Sequence, residues 1–255
     1  MKAQVLVLRS AGSNCDEELV HAFGLAGADV DLIHINRIIE SPSDLERYQI
    51  LGIPGGFTYG DDVAAGLVLA NELRHRLGDA LRSFFSKDRL GIGVCNGFQV
   101  LVKTGLLPGN DGDERSATLT DNESGKFEGR WVWLQPASSV CPWTVGLKPP
   151  VYFPVAHAEG KFITRSAEDL AALNRADQVV FRYSLKGGGK PSYPADPNGS
   201  QDHIAGVCDP TGRILGMMPH PERHVDGTQH PNWTRDGIKP EGDGLQLFRN
   251  AVNSV

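Results

Sequence analysis

The segment Leu90-Gly91-Ile92-Gly93-Val94-Cys95-Asn96-Gly97 decides the fold, because a buried strand here ends at a cysteine between two glycines. A helical pattern follows over residues 98–103, so the segment has the layout of a nucleophile elbow. The sharp turn pushes the Cys95 side chain out of the sheet, and a Cβ atom at Gly93 or Gly97 would clash. The positive end of the next helix favours thiolate over thiol. The pattern predicts Cys95 as a nucleophile; its structural alternative is a buried cysteine beside two turn glycines.

The residues before this elbow alternate between strand and helix. Short β-branched runs at 4–9 and 29–35 flank a helical pattern at 16–26, and a strand at 48–53 precedes an amphipathic helix at 68–86. Such alternation predicts a parallel sheet with helices on both faces and a ligand site at the carboxyl ends of its strands.

The second half has strand patterns with little helical periodicity, which predicts antiparallel pairing. The turn Asp209-Pro210-Thr211-Gly212 should join the last two strands as a hairpin. Polar, glycine- and proline-rich loops are predicted at 110–124 and 186–200, and a closing helix at 243–252. Without a linker, residues 1–255 should form a single α/β domain, with a mostly parallel central sheet and antiparallel β additions in the C-terminal half. The strands predicted in this half are residues 130–135, 151–157, 178–183, 204–208 and 214–218.

Composition excludes several classes of partner. The 25 Lys and Arg against 31 Asp and Glu give a net charge of −6, which argues against a nucleic-acid surface. No run approaches the ~18 apolar residues of a membrane span, and the start lacks a signal-peptide layout, so we expect a cytoplasmic protein without a membrane partner. The four cysteines form no C-x-x-C, so we expect neither disulfides nor a metal site, and a functional cysteine should act alone.

A cysteine hydrolase needs a base and a group that orients it, and two segments offer both. His220-Pro221-Glu222 follows the last hairpin strand, and His157-Ala158-Glu159 has the same spacing. In extended backbone, residues two apart point to the same side, so either glutamate could steady its histidine. Spacing alone leaves the choice of base open.

Backbone amides are the natural donors for a developing oxyanion, because they are fixed in place. Pro54-Gly55-Gly56-Phe57 ends a strand of the predicted sheet and can share the crevice with Cys95. The amides of Gly56 and Asn96 are therefore the predicted oxyanion donors.

Six segments together resemble class I (triad) glutamine amidotransferases, and among them the glutaminase subunits of phosphoribosylformylglycinamidine synthase. They span nearly the whole chain. The elbow indicates only the broad class, whereas the F-T-Y-G-D and P-N-G-S segments point to this branch. The six segments are P-G-G-F-T-Y-G-D (54–61), G-V-C-N-G-F-Q (93–99), N-E-S-G-K-F (122–127), P-V-A-H-A-E-G (154–160), P-N-G-S (197–200) and M-P-H-P-E-R (218–223).

The resemblance implies a flavodoxin-like fold and hydrolysis of the glutamine side-chain amide. It implies that Cys95 attacks, that His220 rather than His157 shuttles the proton, and that Glu222 orients His220. The family positions near the glutamine pocket match Gly55, Phe57, Gln99, Asn122 and Phe127.

The resemblance also implies partners. Ammonia would pass to an ATP-dependent synthetase subunit that converts formylglycinamide ribonucleotide to the amidine, and a small third subunit is an open question. This chain has no G-x-x-x-x-G-K-[ST], so ATP and Mg should bind the partner and no cofactor is expected here. Ala158, Asp196 and the long 225–242 stretch depart from the family pattern. The alternatives are a free-standing cysteine amidase and a non-enzymatic regulatory module.

Overall fold

A nine-stranded sheet forms the centre of the structure, a computed structural model that describes residues 2–109 and 115–255. The strands are β1 (Gln4–Arg9), β2 (Asp29–His34), β3 (Ile50–Ile53), β4 (Leu90–Val94), β5 (Ala117–Thr120), β6 (Glu128–Pro136), β7 (Val151–His157), β8 (Lys161–Thr164), β9 (Val179–Ser184), β10 (Ile204–Cys208) and β11 (Ile214–Met217). The α-helices are α1 (Asp16–Leu25), α2 (Ile35–Glu40), α3 (Leu67–Phe85), α4 (Asn96–Thr104), α5 (Ala167–Arg175), α6 (Trp233–Asp236) and α7 (Leu245–Asn253).

The sheet has a parallel half and an antiparallel half. Its strand order is β2-β1-β3-β4-β11-β10-β9-β6-β7; the first five strands are parallel, and each later strand is antiparallel to its neighbour. β3, β4 and β11 are buried along their whole length, as expected for strands covered on both faces. The predicted α/β class, with a parallel sheet and antiparallel additions, is confirmed.

Most predicted elements in the first half are present within two residues. The helix predicted at 68–86 is α3, which buries Leu69, Leu73, Leu77 and Leu81 on one face. The hairpin predicted at Asp209 is also present: the Gly212 amide donates to the Asp209 carbonyl at 2.9 Å, and β10 pairs with β11.

The structure also contains elements that the sequence analysis did not predict. α5 was not predicted, since only Leu173 of its nine residues is buried and it has no long apolar stripe. β5 lies inside the loop predicted at 110–124 and pairs with β8 in a separate two-stranded sheet; residues 110–114 of that loop are outside the described residues. Both strands have four residues, too few for a clear period-2 pattern.

Sheet direction gathers four chain segments at one edge. β3, β4 and β11 are parallel. From β11 to β7 the strand direction reverses four times, so β7 runs in the same direction as β11. Gly55, Cys95 and His220 follow the carboxyl ends of β3, β4 and β11 within three residues, and His157 is the last residue of β7. The fold therefore brings the predicted nucleophile, oxyanion turn and both candidate bases to the same place.

Among the described residues, every helix is too short or too polar to cross a bilayer. The cytoplasmic location stays a prediction.

Candidate active site

The turn at Cys95 has the predicted elbow geometry. Cys95 lies between β4 and α4 at φ 52° and ψ −107°, a positive φ that is rare outside glycine. A Cβ atom on Gly93 would lie 2.5 Å from the Gly97 carbonyl oxygen, and one on Gly97 would lie 2.0 Å from the Ile53 carbonyl oxygen. Only glycine therefore fits on either side of the cysteine.

His220 and Glu222 form a buried pair. Nδ1 of His220 lies 2.6 Å from Oε1 of Glu222, and both side chains are about 2% exposed or less. The backbone is not extended here, contrary to the sequence argument. Pro221–Arg223 forms a 3-10 turn that folds Glu222 back toward the ring. Burial alone would lower the pKa of His220, but the charges of Glu222 and Cys95 outweigh it and raise this pKa well above its usual value.

Gly55 packs between the predicted nucleophile and the predicted base. A Cβ atom on Gly55 would lie 2.8 Å from Cε1 of His220 and 3.4 Å from Cβ of Cys95. The structure thus brings Cys95, His220 and Glu222 together around a residue without a side chain. Gly55 itself, expected at the glutamine pocket, contacts the triad instead.

The oxyanion turn is held by the loop after β1. Gly56 has a φ of 146°, and a Cβ atom there would lie 2.6 Å from the Gly12 carbonyl oxygen. The Phe57 amide donates to that same oxygen at 2.9 Å, so it is already engaged. The oxyanion role of the Gly56 amide stays a prediction.

Asn96 is the first residue of α4, where a backbone amide has no acceptor within the helix. Its side chain is fixed: Oδ1 accepts from Oγ1 of Thr58 at 2.7 Å, and Nδ2 donates to Asp61 Oδ1 and Gln99 Oε1 at 3.0 Å each. This network holds the residue that follows the nucleophile. The geometry agrees with an oxyanion role for the Asn96 amide.

A cavity of about 40 Å³ adjoins Cys95. Of the predicted site residues, Gly56, Phe57, Cys95 and Gln99 line it. The cavity also contacts two carboxylate residues that the sequence argument did not assign to glutamine binding, Asp61 and Glu159. Gln99 is anchored there by donating from Nε2 to the Glu159 carbonyl oxygen at 2.6 Å.

Besides Gly55, the predicted glutamine-binding residues Asn122 and Phe127 do not line this cavity. Phe127 is 54% exposed in the loop before β6. Asn122 is buried with its polar atoms in use, since Nδ2 donates to the carbonyls of Lys126 and His157, and Oδ1 accepts from the Gly160 amide. Asn122 therefore holds the end of β7, and the structure gives no support to substrate contact by either residue.

His157 differs from His220 in its partner. Because Oδ1 of Asn122 is an acceptor, Nδ1 of His157 donates to it, at 3.0 Å. Glu159 does not contact His157 through a hydrogen bond; its Oε2 accepts from the Ala65 amide at 3.3 Å. Burial, the main cause, and the charge of His220 lower the pKa of His157 to about 3, so it is neutral.

Sequence reasoning missed Cys15 and Arg223. Sγ of Cys15 and ligand atoms of His220 and Glu222 all lie within 4.8 Å of one another, a set that could also hold a metal ion. Nη2 of Arg223 donates to Sγ of Cys15 at 3.1 Å. Cys15 is therefore a second cysteine at this site; the expectation that a functional cysteine acts alone and the absence of a metal both stay predictions. The position of Cys15 in the chain could have indicated its place in the site, because Cys15 follows β1, another strand of the parallel half that ends at this edge.

Comparisons with known proteins show the family of this chain. Residues 2–255 match the family model of the CobB/CobQ-like glutamine amidotransferase domain. The chain is 48% identical over 252 residues to phosphoribosylformylglycinamidine synthase subunit PurQ of Dehalococcoides mccartyi, covering 98% of this chain and 97% of that protein. It is 40% identical over 263 residues to PurQ of Methanococcus maripaludis, covering 98% and 96%.

A solved structure of PurLQS from Thermotoga maritima matches with a TM-score of 0.76 and 29% identity, covering 99% of both chains. A glutaminase domain of CTPS from Trypanosoma brucei, at 14% identity and a TM-score of 0.54 over 98% of this chain and 94% of that one, shares the fold. The chain therefore belongs to the glutamine amidotransferase family and, within it, to the PurQ subunits of phosphoribosylformylglycinamidine synthase.

Proposed function

We propose that this chain hydrolyses the side-chain amide of glutamine and supplies the ammonia to the synthetase subunit of phosphoribosylformylglycinamidine synthase. The observation that carries the proposal is the buried His220–Glu222 pair, 2.6 Å apart, beside the elbow of Cys95. A nucleophile, a base and an orienting carboxylate are the three groups that cysteine amide hydrolysis requires.

The reaction proceeds in two halves. Sγ of Cys95 forms a bond to the carboxamide carbon, and the oxyanion lies against the Gly56 and Asn96 amides. His220, as imidazolium, gives its proton to the leaving nitrogen, so the C–N bond breaks and ammonia departs. Water then attacks the thioester carbon, its proton passes to His220, and the C–S bond breaks to release glutamate. Glu222 stabilises the imidazolium and keeps its ring oriented.

The pocket residues are part of the same proposal. Gln99 and Phe57 line the cavity beside Cys95 and are positioned to contact glutamine. Asn122 acts through His157, which it holds, and Phe127 lies outside the cavity. Residues 1–255 work as a single amidotransferase domain, since the match extends over 97% of the Dehalococcoides relative.

The complex supplies the remaining chemistry. The ATP-dependent synthetase subunit takes the ammonia and converts formylglycinamide ribonucleotide to formylglycinamidine ribonucleotide, a step of purine biosynthesis. ATP and Mg bind that partner rather than this chain. A small third subunit is included, because the Thermotoga structure that this chain resembles is of PurLQS.

The test is Cys95→Ala in the reconstituted complex. Glutamine-dependent amidine formation and glutamate release should be lost, because Cys95 supplies the sulfur of the thioester, while amidine formation from added ammonium should persist. Cys141→Ala is the matched control, since Cys141 is also a buried thiol but contacts the Cys208 region instead.

Glutamate release by Cys95→Ala at the wild-type rate would remove Cys95 from the mechanism. Loss of the ammonium-dependent reaction as well would indicate a damaged complex. A wild-type chain that hydrolyses glutamine equally fast alone, and never associates with a synthetase, would favour the free-standing amidase.

A further inference from the structure

Cys15 connects the oxyanion turn to the triad. It follows β1, precedes α1 and is 2% exposed. Its backbone amide and that of Asn14 donate to the Gly55 carbonyl oxygen at 3.2 and 3.4 Å. Its sulfur lies 3.1 Å from the position that a Cβ atom on Gly55 would occupy. The backbone of Cys15 is thus tied to one part of the site while its sulfur faces another, the His220–Glu222 pair.

Two residues near the start of α1 accept hydrogen bonds from Arg223. Its Nε donates to Oε2 of Glu18 at 3.0 Å, and its Nη2 donates to Sγ of Cys15 at 3.1 Å. Cys15 is the residue preceding α1, and Glu18 lies in the first turn of that helix. The guanidinium of Arg223, which directly follows Glu222 in the chain, is therefore held by α1.

Glu222 has an open acceptor beside this cation. Its Oε1 serves Nδ1 of His220, whereas Oε2 is buried and has no hydrogen-bond partner among the residues described. Arg223 and Glu222 both lie beside the sulfur of Cys15, which is 3.1 Å from Nη2 of Arg223 and within 4.8 Å of a carboxylate oxygen of Glu222. A buried carboxylate oxygen without a partner is costly, and the Arg223 guanidinium would satisfy it if it could move.

We propose that Cys15 and Glu18 are positioning residues that hold the Arg223 guanidinium off Glu222, so that the carboxylate serves the His220 imidazolium alone. This inference rests on the proposed function, because it assigns these residues to the same triad. If Cys15 is shortened, Arg223 turns to Oε2 of Glu222 and competes with His220 for the negative charge.

The groups that face His220 set the sign of the effect. Glu222, Cys95 and a hydrogen bond with Cys15 favour the imidazolium, and His157 is neutral. Arg223 is the one cation tied to this cluster in the described part of the chain. An Arg223–Glu222 pair would neutralise the carboxylate, so the pKa of His220 would fall. The alkaline loss of glutamine hydrolysis would then occur at a lower pH than in the wild type.

The experiment compares Cys15→Ala, Cys15→Ser and Cys15→Ala/Arg223→Gln in the reconstituted complex, with Cys141→Ala as control. The readouts are kcat and KM for glutamine hydrolysis between about pH 6 and 10, a window that extends upward from the ordinary histidine pKa of about 6.5, because the pKa of His220 is raised. For Cys15→Ala we expect kcat about tenfold lower, an unchanged KM and an alkaline limb at lower pH. Cys15→Ser, which keeps an acceptor for Arg223, should restore most of the rate.

The double variant separates this role from simple packing. Removing the guanidinium removes the competitor, so Cys15→Ala/Arg223→Gln should be faster than Cys15→Ala. Its alkaline limb should move back toward the wild-type position, short of it only by the direct effect of Cys15 on His220. A double variant as slow as Cys15→Ala, or a Cys15→Ala profile with unchanged shape, would overturn the proposal. If Cys15→Ala does not fold, Glu18→Gln removes the other tie from the helix surface and must shift the limb in the same direction. Since all arms need a wild-type enzyme that hydrolyses glutamine, failure of Cys95→Ala to abolish turnover would instead refute the proposed function.

Discussion

His157 and His220 each precede a glutamate by two residues, and both are buried at the same edge of the sheet. Their partners differ. His220 contacts Glu222 at 2.6 Å and has a raised pKa, whereas His157 contacts Asn122 at 3.0 Å and has a pKa of about 3. One histidine is suited to carry a proton, and the other is a neutral part of the cavity wall.

The backbone after each histidine accounts for the difference. Pro221 opens a 3-10 turn, where its fixed φ is compatible and its missing N–H is not needed, and the turn brings Glu222 back to the ring. Ala158 is exposed after the end of β7, and Glu159 turns toward the Ala65 amide. The same spacing therefore gives a dyad only where a turn follows, which spacing arguments based on extended chain do not capture.

The comparison predicts very different losses when each histidine is replaced by glutamine in the complex. His220→Gln should lower kcat/KM for glutamine hydrolysis by about 10²–10⁴, because general acid–base catalysis is lost. His157→Gln should lower it by less than about tenfold, since that residue carries no proton in the reaction. Glutamate release measured at saturating and limiting glutamine gives both values. A slow His157 variant beside an active His220 variant would reverse the assignment of the base.

The glycines that pack against the two rings give a finer comparison. A Cβ atom on Gly55 would lie 2.8 Å from His220, and one on Gly160 would lie 2.3 Å from His157. Both alanine variants should lose about 1–3 kcal/mol of unfolding free energy through overpacking. Only Gly55→Ala should also lower kcat, by about 10²-fold, because it displaces the His220 ring, which takes part in the reaction. Denaturant unfolding and glutaminase assays separate the two effects.

Equal losses of kcat in Gly55→Ala and Gly160→Ala would mean that the two rings contribute alike. That outcome would contradict the division between a proton-carrying and a wall histidine. A normal kcat for Gly55→Ala would mean that His220 can move without cost.

The parallel half was predictable because its signals are local. The elbow at Cys95 and the oxyanion turn at Gly56 each follow a short apolar strand, and glycine is required there by contacts within or next to the turn. Strand direction then brings them together, as the alternation of strands and helices predicts. These two segments could be read from the sequence because their geometry depends on neighbouring residues.

The rest of the site depends on contacts between distant parts of the chain. Asn122 holds His157 across 35 residues, and Arg223 bonds Cys15 across 208. Neither pair produces a spacing pattern. The family resemblance therefore placed Asn122 at the substrate pocket, and the sequence analysis overlooked Cys15. These contacts depend on the order of the nine strands in the sheet, and local patterns in a single sequence do not reveal that order.

The smallest expected effect concerns stability. A buried histidine with a pKa of about 3 in the folded chain and about 6.5 when unfolded stabilises the fold above pH 6.5, and this contribution is lost as the pH falls toward 3. Between pH 7 and 5 the loss should be about 2 kcal/mol, so His157→Gln should flatten the pH dependence of the unfolding free energy by that amount. His220 has the opposite sign, because its raised pKa stabilises the fold at low pH and this is lost as the pH rises through its folded pKa. Denaturant unfolding of the two variants at acid and alkaline pH therefore tests the difference between the histidines without any substrate, and flattening on the same side in both variants would contradict it.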